Sequence, residues 1–104
     1  MAVKRRPAVV LSSEIYHSSR PDIVVGLLTS RIAGPVGPTD YVLKDWQAAG
    51  LKVASAFRSF FATLPLATHP ARVGRLSERD WLGVCAAVRS ALAPLASPPR
   101  LMPE

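Results

Sequence analysis

The chain is poor in the residues that most enzymes use for chemistry: of its 104 residues one is cysteine, two are histidine and seven are acidic. A lone thiol, Cys85, excludes an internal disulfide and leads us to expect a reduced, cytoplasmic setting. His17 and His69 stand far apart, and neither is spaced with Cys85 as a metal ligand would be. No metal site and no cofactor are therefore expected. Glu14, Asp22, Asp40, Asp45, Glu78 and Asp80 fall at expected turns and caps, which argues against a paired-carboxylate hydrolase. Ser12, His17 and Asp22 are the types of a nucleophilic triad. Geometry defines such triads, however, and these types are too common to count on their own. No apolar run approaches the roughly 18 residues that span a bilayer. The short apolar segment near the start is broken by Ser12, Ser13 and Glu14, unlike a secretory signal. There is no internal repeat, and "AGPVGPTD" at 33–40 lacks the Lys-Ser/Thr step of a phosphate loop.

What the chain does have is apolar bulk and positive charge. Hydrophobic residues make up 49%, enough for one folded domain, and the formal net charge is +6. Such a charge favours polyanionic partners: RNA, DNA or an acidic protein. No basic amphipathic helix directs it to a membrane. The reading is a single domain over 1–93 followed by a flexible, proline-rich tail over 94–104.

Within the domain, "PAVVL" at 7–11 reads as a strand that Pro7 can only begin or edge. Ser12 or Ser13 caps a short helical turn. "DIVVGLLTS" at 22–30 is a second strand, apolar enough for a barrel wall. Residues 33–40 form a loop, 41–43 a short strand, and "KDWQAAG" a helical turn ended by Gly50 in a left-handed cap. "LKVASAFRSFFATL" at 51–64 is strand-forming, and strand potential returns near Val73. Ser77 with Asp80 resembles a capping box. Trp81, Val84, Cys85, Val88 and Leu92 then recur at helical spacing until Pro94. Phe57, Phe60, Phe61, Trp46 and Trp81 are read as core, although exposed phenylalanines would suit base stacking. The expected fold class is α+β: a small, mostly antiparallel barrel or sheet closed by a C-terminal helix.

Lys4, Arg5 and Arg6 precede the first strand, and Thr29, Ser30 and Arg31 end the second. If the two strands are neighbours, Arg6 and Thr29 share one sheet edge. A guanidinium fork suits phosphate oxygens, and a hydroxyl adds a neutral donor for developing negative charge. RNA brings its own 2′-OH nucleophile, so such a site needs neither metal, cysteine nor histidine. The plain alternative is a solvated basic flank.

"KRRPAVVLSSEIYHSSRPDIVVGLLTSR" resembles the MazF/PemK toxins of bacterial type II toxin–antitoxin systems. So do "DYVLKDWQAAGLKVASAFR" and "GRLSERDWLGVCAAVRSAL". The resemblance implies an SH3-like barrel that forms a homodimer. It implies a metal-independent endoribonuclease that cuts single-stranded RNA and is held by a cognate acidic antitoxin. It assigns proton transfer and phosphate stabilisation to Arg6, and transition-state stabilisation to Thr29. Ser30, Arg31, Lys4 and Arg5 are expected RNA contacts from position and charge. The family's leading strand has no counterpart before Arg6-Pro7, so an exposed sheet edge is expected. Two other readings stay open. One is a non-catalytic member acting by protein binding, on its antitoxin or on a target such as gyrase, as CcdB-like toxins do. The other is a small domain whose charge only keeps it soluble.

Overall fold

The computed structural model describes residues 6–68, 71–93 and 98–103. Lys4, Arg5, His69 and tail residues 94–97 and 104 lie outside the described residues. Four antiparallel strands form one curled sheet in the order β1-β2-β4-β3: β1 Ala8–Val10, β2 Asp22–Thr29, β3 Tyr41–Val42 and β4 Ala56–Pro65. A one-turn helix, α1 (Glu14–His17), joins β1 to β2, and α2 (Glu78–Ala91) packs against β3 and β4.

The β-branched runs take the strands read for them. In α1 it is Ser13, not Ser12, that caps, its Oγ accepting from the Tyr16 N–H at 3.3 Å. The turn after β3 closes with Leu51 N–H on Trp46 O and Gly50 N–H on Gln47 O, both at 3.0 Å. Those two bonds are the paired closure that also ends many helices, and Gly50 takes the left-handed φ of 95° it requires.

β4 begins at Ala56, five residues later than expected. Ser55 Oγ turns back onto Val53 O at 3.0 Å, so the chain bends there before extending. Around Val73 there is no strand. The segment instead runs so close to Ala49 that a β-carbon at Gly74 would overlap the Ala49 carbonyl.

Val9, Leu28, Leu43, Phe57, Val84 and Ala87 form the core. Gly26, opposite Val9, leaves room for the Phe57 ring, which a β-carbon there would overlap. The face that α2 buries is Asp80, Val84 and Ala87, turned away from the purely apolar stripe. Trp81 and Leu92 are exposed.

The β2–β4 register slips between Gly26 and Leu28: Gly26 faces Phe61, whereas Leu28 faces Phe57. Three residues of β4, Arg58, Ser59 and Phe60, therefore oppose Leu27 alone. This bulge shapes the site described next.

Candidate functional site

β1 and β2 are neighbours, with Ala8 opposite Leu27 and Pro7 O accepting from Leu28 N–H at 3.1 Å. Carried two residues further, the same register sets Arg6 across from Thr29. Leu28 packs on Phe57, so Leu27 and Thr29 turn to the other face. There Arg6, Thr29 and Arg31 line one cleft of about 560 Å³, walled by Ala33, Gly34 and Pro35 of the loop after β2. Ser30 is exposed but does not line the cleft.

Two further lining residues, Arg58 and Phe60, come from the β4 bulge. Arg58 Nη2 donates to Arg31 O at 3.0 Å, and Nη1 approaches Asp40 Oδ2 at 3.5 Å. Asp40 in turn accepts from Gly37 N–H at 3.1 Å, which ties the loop to the bulge. Thr29 Oγ1 accepts from Arg31 N–H at 3.1 Å. One of its two lone pairs is thus engaged, and its own proton has no acceptor among the described residues. Three arginines and no carboxylate line the cleft. Sequence reasoning placed Phe60 in the core and did not single out Arg58. Phe60 is instead 67% exposed, because the bulge turns it outward.

The family model for "PemK-like, MazF-like toxin of type II toxin-antitoxin system" matches residues 2–92. The chain belongs to this family. Among solved structures it is similar to three mycobacterial chains. The "Crystal structure of Mtb toxin" aligns with TM-score 0.69 at 19% identity, over 84% of this chain and 92% of that one. The Mycobacterium tuberculosis toxin MazF-mt6 gives 0.68 and 20%, over 83% and 84%. An endoribonuclease from mycobacterial species gives 0.68 and 16%, over 83% and 78%. No curated protein matches the chain. At these identities the neighbours establish the fold, and the SH3-like α+β class expected from the sequence agrees with them.

Two other polar groups in this MazF-like chain compete for attention. Ser12 Oγ lies 2.6 Å from His17 Nε2, so two members of the triad considered above do meet. Asp22 pairs instead with Arg20 at 3.4 Å and accepts from Tyr16. Ser12 Oγ also accepts from Val24 N–H at 2.9 Å, so the pair fastens α1 to β2. It lines neither groove.

The second group surrounds Asp80, which is fully buried. Its carboxylate accepts from Tyr41 O–H at 2.7 Å, Lys44 N–H at 3.0 Å and Asp45 N–H at 2.8 Å. Burial alone would raise the Asp80 pKa, but these donors outweigh it and hold the carboxyl below its usual range. Burial, with Asp80 beside it, pushes the Tyr41 hydroxyl up to about 12. Gly83 makes the contact possible, since a β-carbon there would overlap the Tyr41 ring. Asp45 accepts from Arg79 Nε at 2.7 Å and Ser77 Oγ at 2.6 Å, and Arg79 first, then Ser77, lowers its pKa to about 2.

A mostly apolar groove of about 610 Å³ lies against β1, which stands at the sheet edge, and extends to Ile23 and Val25 of β2 and Leu64 of β4. Val10, Val73 and Trp81 line it, with Arg6, Arg72 and Arg75. Arg6 therefore borders both the groove and the cleft. Among the described residues no group of His, Cys, Asp and Glu could hold a metal, and no helix is long and apolar enough to cross a membrane.

Proposed function

We propose that the chain is the toxin of a type II toxin–antitoxin pair and cuts single-stranded RNA at the Arg6–Thr29 cleft. The observation that carries this reading is the shared cleft itself: a guanidinium and a hydroxyl among further arginines, with no carboxylate lining it to repel a phosphodiester. The 2′-oxygen attacks the adjacent phosphorus as the bond to the 5′-oxygen breaks. The 2′ proton is lost, the leaving 5′-oxygen gains one, and a 2′,3′-cyclic phosphate and a 5′-hydroxyl result. Arg6 neutralises the non-bridging oxygens and serves the proton transfer. Thr29 donates to the oxygen on which charge grows. Since the substrate supplies the nucleophile, the step is independent of metal. Arg31 and Ser30, with Lys4 and Arg5 ahead of them, contact the RNA backbone.

An acidic antitoxin segment fits the groove beside β1, where Arg72, Arg75 and Arg6 meet apolar side chains. The +6 charge speeds that encounter. A homodimer and a cytoplasmic location complete the reading. The groove also favours one alternative, a chain that acts through protein contact alone.

The test is cleavage of single-stranded RNA in EDTA. Arg6→Ala and Thr29→Ala are each expected to lower the rate roughly 10²-fold or more, with cyclic phosphate ends in the wild-type product. Equal rates in all three proteins end the assignment. Toxicity that survives both substitutions favours the protein-contact alternative.

A further inference from the structure

We propose that Phe60 is a stacking platform for one unpaired base of the RNA held in the cleft. This deepens the reading above and rests on it. Of the three phenylalanines of β4, all read as core from the sequence, Phe57 is fully buried, Phe61 is 38% exposed and Phe60 is 67% exposed. It lines the cleft together with Arg6, Thr29, Arg31 and Arg58.

Its exposure is built in. Ser59, immediately before it, holds φ at 54°, the single positive value of a non-glycine residue among the described residues. Serine rarely adopts that conformation, and here it is kept there by Ser59 Oγ donating to Thr39 O at 2.7 Å. On the other side of Ser59, Arg58 is fastened to Arg31 O and Asp40. The backbone around Phe60 is thus held in a costly shape whose visible result is an aromatic ring outside the core. Bulges commonly re-aim a side chain beside a working site.

The surroundings select the occupant. Leu27, Leu28, Ala33 and Pro35 give the cleft apolar walls, while its charged groups are three arginines with no carboxylate among them. That mixture suits a phosphate backbone with a base turned against the ring. Stacking needs only a π face, so it tolerates any base while requiring that the base be unpaired.

The test uses single-stranded 2′-O-methyl RNAs of about ten nucleotides, which cannot be cut. Homopolymers are compared by fluorescence anisotropy, and the tightest is remade with one abasic site at each position in turn. One abasic position is expected to weaken wild-type binding roughly tenfold. Phe60→Ala should lose about the same factor on intact RNA and show no further loss at that position. Phe60→Tyr should restore binding, and Phe60→Leu, with bulk but no π face, should not.

Unchanged affinity of Phe60→Ala, losses that simply add, or rescue by leucine overturns the proposal. A change in oligomeric mass on sedimentation, without the position-specific loss, assigns Phe60 to a protein interface and overturns it too. No binding of any RNA overturns this proposal together with the reading beneath it. Stacking without cleavage of ordinary RNA removes only the enzymatic reading. Cleavage with a flat Phe60 profile removes only the present one.

Discussion

Around Asp80, every carboxylate oxygen is taken by a donor of this chain, from a tyrosine hydroxyl and two backbone amides. Around Thr29, by contrast, Arg6 and Arg31 are exposed and no carboxylate lines the cleft. The two regions are both built on charged residues, yet one is closed by internal partners and the other leaves Arg6 and Arg31 to solvent. Satisfied charge inside a protein holds elements together and offers nothing to a ligand. Charge left facing solvent contributes little to folding and keeps its donors for a partner.

Substitution at Asp80 should break this contrast most strongly. Asp80→Ala strands the Tyr41 hydroxyl and two amides, and is expected to cost about 3 kcal/mol or more. That corresponds to a fall in Tm of about 10 °C or more, read by thermal denaturation. A Tm close to wild type would show that the cluster is no fastener. Arg31→Ala should do the reverse. RNA affinity should fall, and the slope of log affinity against log salt should become shallower by about 0.7, while Tm stays within about 4 °C. A large Tm loss there would erase the distinction.

Acid gives the smallest and most selective effect. The Asp45 carboxyl lies near 2 in the fold, below its ordinary value, so the unfolded chain takes up the proton first. Its contribution is present above about pH 4 and is lost as the pH falls through about 2. Asp80 shifts in the same direction. Tm should therefore decline between those limits, and decline less in Asp45→Asn.

Much of this was legible in the sequence because it depends on local pattern. β1 and β2 follow from β-branched runs, α2 from Ser77 and the spacing after it, and the meeting of Arg6 with Thr29 from the adjacency of two strands. What escaped came from distance. Arg58 and Phe60 reach the cleft from a strand far along the chain, through a bulge that carries no glycine of its own and is marked only by Gly26 on the strand opposite. Ser59 takes a left-handed conformation with only a tertiary hydrogen bond to hold it. Helical periodicity chose Trp81 and Leu92 for the buried face because they are apolar. Asp80 is buried instead, because backbone amides of another segment donate to its carboxylate there.

The position of Asp80 in the first turn of α2 also bears on how the chain folds. Fourteen residues make a helix that is marginal in water on its own. Its anchoring partners lie 35 to 39 positions earlier. A helix that depends on partners so far along the chain is expected to settle together with β3 and the turn after it. Melting should then be a single event, in which α2 and the sheet lose their structure together and neither survives as a fragment.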